Sequence, residues 1–471
     1  MRTRIGTRRG LETVSLQRLG YFMVWMLAAQ FLRGQEAILS GTVVTPDRII
    51  PKGWIVIRKG RIESIAEKPP VTANLPIVET GGIVFPGFID LHNHPMYNAF
   101  PRWHTTATFK NRYEWRDLEE YKDRIGRPGS ELQKKDDQTF CDLDEYAEVK
   151  ALIGGTTSIT GISARYGTAA PVPSCIAGLV RNLDWASGFY GMTVGHEPIK
   201  NTLGITPRDM SEDDAAKIRQ ELRSKQVDLL LIHVAEGSPR DLESTLEFLA
   251  LKGRRLLGPH TAIIHGVALA ADDFRQMHSV GAALVWSPRS NLELYGVTTN
   301  ILAALHKNVA VALAPDWSPT GSTNELAEIK YASRYSREHL AGELTDPELF
   351  RMSTAVPARI ARIGDKVGTI KVGHYADLFV LKGDESQPFA ALANAQPEQV
   401  QLVLVGGVAF YGSEKLMNSF HVKSEAVDVC GSSMRLNSSA FPGSFAEVRR
   451  RLEIALQSYA LELAPLAECQ P

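Results

Sequence analysis

His92 and His94 stand one residue apart at the end of the apolar stretch FPGFIDL. On an extended chain alternate side chains share a face. The two imidazoles would therefore stand side by side, a ready pair of ligands for a zinc-like ion. Further along, His233 ends the apolar run LLLI and is followed three residues later by Glu236. His265 ends AII, and Asp316 ends VAVALAP, where the proline suits the end of a strand but not its middle. A carboxylate at such a place can ligate a metal, accept a proton from an attacking water, or do both. A second carboxylate beside activated water can carry protons between water and substrate if the site tunes its pKa.

Each of these residues follows an apolar run, and the runs alternate with stretches of helical spacing such as 212–225 and 242–252. The candidate strands are GFIDLHNH, GTTSIT, GLVRNLDW, GFYGMTVG, VDLLLIHVAE, TAIIHGVAL, GAALVWSP and VAVALAPD. About eight strand–helix repeats argue for an α/β fold closed into a (β/α)₈ TIM barrel over 85–367, whose active site sits where the strands end. The segments 36–84 and 368–412 are β-rich and punctuated by Gly and Pro. They are expected to form one small companion β-sandwich from both ends of the chain. Residues 413–471 read as an extension with a final helix over 444–463, and residues 1–35 as lying outside the fold.

The order Pro86-Gly87-Phe88-Ile89-Asp90-Leu91-His92-Asn93-His94 resembles the P-G-x-x-D-x-H-x-H with which members of the amidohydrolase superfamily open their barrel. His233-Val234-Ala235-Glu236 is similar to the H-x-x-E of the deaminase and chlorohydrolase branch. WSPRSNLELYG resembles a segment that follows strand seven in that branch, and GTIKVGHYADLFVL resembles the entry into its companion domain. Ala314-Pro315-Asp316 departs modestly from the usual G-T-D or G-S-D. The resemblance spans about residues 38–412. It implies one divalent ion, zinc before iron or manganese, held by His92, His94, His233 and Asp316. It also implies catalytic roles for Glu236 as proton carrier and for His265 and Asp316 in orienting the attacking water. Lys200, Lys217 and Lys225 end no apolar run, so the carboxylated lysine of binuclear members has no counterpart, and a mononuclear site is expected.

The reaction so implied is hydrolysis of a non-peptide carbon–nitrogen bond, with deamination of a heterocycle as the leading form. Cyclic amide or amidine hydrolysis stays open. A non-catalytic barrel scaffold is the rival from another class, and it should lack one or more ligands. Tyr97, Trp103 and Trp317 are candidate walls that could stack on a planar ring, although the aromatics of 96–121 could equally pin a long loop to the barrel rim. Arg289 could meet an anionic substrate group or be a surface charge, and Asn291 is expected to hold backbone or substrate. His260 reads as structural. His104, His196, His278, His306, His339, His374 and His421 receive no role.

A net charge of −1 gives no basic field for nucleic acid. The expected partner is a small nitrogen-containing molecule, with homo-oligomer formation left open. The basic head (Arg2, Arg4, Arg8, Arg9, Arg18) and the apolar run Leu19 to Leu32 have the proportions of a signal peptide and are too short for a stable transmembrane span. Export to the periplasm is expected if the segment is a signal, and a cytoplasmic location if it is an extension. Cys141, Cys175, Cys430 and Cys469 form no C-x-x-C pair, and a Cys430–Cys469 bridge would require an exported chain.

Overall fold

The computed structural model describes residues 35–70, 75–161, 178–184, 199–202, 205–441 and 443–469. The N-terminal basic–apolar segment and the expected strand at 188–195 lie outside the described residues. The chain opens with β1 (Ala37–Val44), β2 (Ile49–Arg58), β3 (Arg61–Ala66) and β4 (Ile77–Pro86). Eight short parallel strands follow: β5 (Phe88–Ile89), β6 (Thr156–Ile159), β7 (Arg181–Asn182), β8 (Ile199–Asn201), β9 (Leu229–Val234), β10 (Thr261–His265), β11 (Ala283–Trp286) and β12 (Val311–Leu313). The last strands are β13 (Leu378–Leu381), β14 (Val400–Val405), β15 (Val408–Ser413), β16 (Ser424–Val429) and β17 (Ser432–Asn437).

The parallel strands form a three-stranded sheet, β5-β6-β7, and a five-stranded sheet, β12-β11-β10-β9-β8. A parallel bridge between Asn93 and Asp316 links their exits. Side chains alternate along each strand as the pleat requires. Ile89, Leu183, Ile199, Leu229, Leu231, Ala262, Ile264, Ala283, Val285 and Ala312 turn inward into one shared core. Leu230, Ile232, Ile263, Leu284, Val311 and Leu313 face a second core on the other side. The flanking helices include Glu212–Arg223 and Leu242–Gly253, close to the spans read from the sequence.

The remaining strands form one nine-stranded sheet in the order β16-β17-β15-β14-β13-β4-β1-β2-β3. The two ends of the chain meet where β4 pairs antiparallel with β13, placing Phe85 opposite Phe379. Asp377 fastens this junction to the parallel strands. Its carboxylate takes a bidentate pair from the buried Arg181 guanidinium at 2.6 and 2.9 Å and accepts the Gly406 N–H at 2.7 Å. A carboxylate fully engaged in this way tolerates burial, which gives the Asp of the ADLFVL segment a structural purpose.

The segment after 412 is more than an extension. Its β16–β17 hairpin carries the sheet onward past β15, and its helix spans Phe445–Gln457, shorter than expected. A Cys430–Cys469 disulfide ties the chain end to the tip of this hairpin.

Candidate active site

The strand carrying the first histidine pair is shorter than the sequence pattern suggests. β5 ends at Ile89, and His92 and His94 lie beyond it on an irregular turn. Asp90 shapes that turn by accepting the His92 N–H at 2.9 Å and the Asn93 side-chain amide at 2.6 Å. The turn is then stitched to the exit of β12, because Asp316 N–H donates to the His92 carbonyl and His94 N–H to the Asp316 carbonyl, both at 3.1 Å. His265 and Asp316 adopt positive φ of 66° and 67°, a conformation uncommon for residues other than glycine and concentrated at functional sites.

These exits bring six polar residues together. The His92, His94 and His233 ring nitrogens can approach one point, and so can His92 with His265 and Asp316, or His233 with Glu236 and His265. Asp316 Oδ1 lies 3.1 Å from His92 Nε2 and 3.4 Å from His94 Nε2. Both ring nitrogens of His92 and Nδ1 of His233 are buried without a hydrogen-bond partner. Unpaired buried polar atoms are costly, and a cation bound among them would satisfy them. Burial lowers the His92 and His94 pKa to about 3 and that of His233 well below its ordinary value. The rings are therefore neutral donors at physiological pH. Imidazole nitrogens with one carboxylate suit a divalent metal.

Glu236 is the second buried carboxylate of the cluster. The Tyr295 hydroxyl donates to its Oε1 at 2.7 Å and itself accepts Trp115 Nε1–H at 2.9 Å. Arg112 Nη1 lies 3.0 Å from Oε2. Burial would raise the Glu236 carboxyl, but Arg112, His265 and the Tyr295 bond outweigh it and hold it below its ordinary range. His265 Nε2 is 3.8 Å from Glu236 Oε1. Its Nδ1 donates to Asn291 Oδ1 at 2.9 Å, while the Asn291 amide donates to Thr298 Oγ1 at 3.2 Å. This fixes the His265 tautomer and leaves the Nε2 lone pair toward the site.

Several sequence expectations are corrected. Asn291 holds the His265 ring and not backbone. Arg289 is not a free surface charge, because its Nη1 bonds both Glu468 carboxylate oxygens at 2.6 Å. Trp103 is 1% exposed and packs against Phe109, Trp115 and Tyr121, so the rim-pinning reading fits it and the open stacking wall does not. Trp317 is also largely buried, with its ring 5.7 Å from His94 and 5.7 Å from Tyr97, and these two line the His94 side of the site. His260 bonds the Asp228 carbonyl at 3.0 Å, and Lys200 pairs with Glu221. Sequence reasoning missed Arg112 and Tyr295. Both lie in stretches noted for other residues, and nothing in their spacing points to Glu236.

The amidohydrolase family model matches residues 230–409. A 5-methylthioadenosine/S-adenosylhomocysteine deaminase of Syntrophobacter fumaroxidans is 25% identical over 400 residues, 74% of this chain and 85% of its own. A zinc-bound adenosine deaminase from Xanthomonas campestris superposes with a TM-score of 0.68 at 15% identity, covering 90% of this chain and 99% of its own. An atrazine chlorohydrolase variant from Arthrobacter aurescens, complexed with zinc and atraton, gives 0.67 at 14% identity over 89% of this chain and all of its own. These matches support the amidohydrolase superfamily. This amidohydrolase acts on carbon–nitrogen bonds other than peptide bonds, and the non-catalytic scaffold reading falls. Its mixed α/β fold is that of the superfamily's barrel proteins. No helix among the described residues is long and apolar enough to cross a membrane.

Proposed function

We propose that this amidohydrolase deaminates a nitrogen heterocycle, using one zinc ion held by His92, His94, His233 and Asp316 at the mouth of a closed (β/α)₈ barrel with a β-sandwich companion. The observation that carries the reading is that two buried carboxylates border one histidine cluster, Asp316 against His92, His94 and His265, and Glu236 against His233 and His265. The bound ion would supply Lewis-acid activation of water at neutral pH. Asp316 and the His265 Nε2 lone pair orient the attacking oxygen, with Asn291 keeping that lone pair free. Glu236, ionised in the resting site, takes a proton at its carboxylate and returns it to the departing nitrogen, so that ammonia leaves instead of an amide anion. The names of the deaminase relatives favour a heterocycle over a cyclic amide.

The test is ammonia release from a set of amino-substituted purines, pyrimidines and nucleosides by the zinc-loaded full chain. Glu236→Gln should cut release by about 10²–10⁴ while zinc content stays at one equivalent. Release at near the wild-type rate after the substitution would contradict the reading. The Cys430–Cys469 bridge supports placing the protein in an oxidising compartment, which cell fractionation would check.

A further inference from the structure

Arg112 is a buried cation beside Glu236 whose Nε and Nη1 donors are unused. Its side chain is 5% exposed, and Nε and Nη1 have no hydrogen-bond acceptor. The 3.0 Å approach of Nη1 to Glu236 Oε2 is a charge contact without hydrogen-bond geometry, since Oε2 is itself unpartnered. Arg112 also contributes to the electrostatic environment of His92, His94, His233 and His265.

Its position is built with care. Asn111 caps the helix Arg112–Asp117, accepting the N–H groups of Tyr113 and Glu114. It forms a bridge with Gly237, and Arg112 N–H donates to the Glu236 carbonyl at 3.3 Å. A Cβ on Gly237 would stand 2.5 Å from the Lys110 carbonyl and 2.8 Å from Asn111 Cα, so only glycine permits this approach. The loop is thus docked on the exit of β9 in a way that delivers one guanidinium to the proton carrier.

A charge partner for Glu236 needs only a point charge. A planar fork left without acceptors is suited to receiving an oxygen through paired N–H donors. Resting on the reading above, we propose that Arg112 determines specificity: the substrate carries an oxygen acceptor, a ring carbonyl or a carboxylate, that docks on the Arg112 fork while Glu236 serves the departing nitrogen.

The experiment measures calorimetric binding and ammonia release for two matched pairs with the zinc-loaded full chain. The first pair, cytosine and 4-aminopyrimidine, differs in a ring carbonyl. The second, S-adenosylhomocysteine and 5′-methylthioadenosine, differs in an amino-acid tail bearing a carboxylate. In at least one pair the oxygen-bearing member should bind about tenfold or more tightly than its partner, as expected for a hydrogen bond to a charged group. The pair showing the margin identifies the acceptor. Arg112→Lys keeps a charge beside Glu236 but loses the fork, and it should erase the margin while zinc content and melting temperature stay at wild-type values. Arg112→Gln should erase it as well. No margin in either pair, or a margin that survives Arg112→Lys, overturns the proposal. A margin without ammonia from any of the four compounds would remove the deaminase reading and leave the Arg112 assignment standing. Ammonia without a margin would do the reverse.

Discussion

The two walls of the site are held by different means. On the Asp316 side, main-chain bonds lock His92, His94 and Asp316 together, and Asp90 and Asn93 brace the turn beneath them. On the Glu236 side, the carboxylate is held by side chains brought from elsewhere: Arg112 from the first long loop and Tyr295 from the end of the helix Pro288–Tyr295. The first wall cannot shift without disrupting two strand exits. The second can exchange partners while the backbone stays still. Fixed backbone suits groups that hold an ion, and adjustable side-chain contacts suit a group that must change protonation during each turnover.

The largest effects should separate the walls. His92→Ala is expected to lose both bound zinc and activity. Glu236→Gln is expected to keep the zinc and lose about 10²–10⁴ in kcat. Metal analysis and single-turnover assays read the two outcomes. If Glu236→Gln also lost its metal, the walls would not be independent.

That division also explains what was legible in sequence. His92, His94, His233, His265 and Asp316 each terminate an apolar run, because strand exits are where a parallel barrel meets solvent and substrate. Arg112 and Tyr295 act through a docked loop and a helix end, and their local sequence looks like ordinary loop and amphipathic helix. Arg289 misled for the complementary reason. It lies near the site in sequence, but its partner Glu468 comes from the far end of the chain, positioned next to the Cys430–Cys469 bridge. The β4–β13 junction was readable as strands from both chain ends. The β16–β17 hairpin was not, since its pattern is polar and partly exposed.

Tyr295→Phe sharpens the comparison at intermediate scale. It removes one hydrogen bond to a charged carboxylate, and kcat should fall about tenfold, with zinc content unchanged. A drop as large as that of Glu236→Gln would give Tyr295 a chemical role beyond holding.

Glu247 offers a pH-dependent probe of the same wall. It accepts the Ala235 N–H at 2.6 Å and the Tyr113 hydroxyl at 3.2 Å, and burial raises its pKa to about 7. The folded state therefore holds this proton more tightly than the unfolded chain. The stabilisation is complete below about pH 4.5 and is lost as pH rises toward 7, by about 1 kcal/mol per pH unit within that window. Glu247→Gln should flatten this part of the stability profile in urea titrations, and an unchanged slope would contradict the assignment.

The smallest effect belongs to Arg289→Gln, whose partly exposed pair with Glu468 should contribute at most about 1 kcal/mol. Its kcat should stay within about twofold of wild type. A larger loss would return Arg289 to the substrate.

Metal content of the purified full chain tests the central claim most directly. Elemental analysis should find one equivalent of a divalent ion in the wild type and none in His92→Ala, His233→Ala or Asp316→Ala. A wild-type protein that binds no metal after incubation with zinc, or variants that keep a full equivalent, would contradict a shared ion at these strand exits.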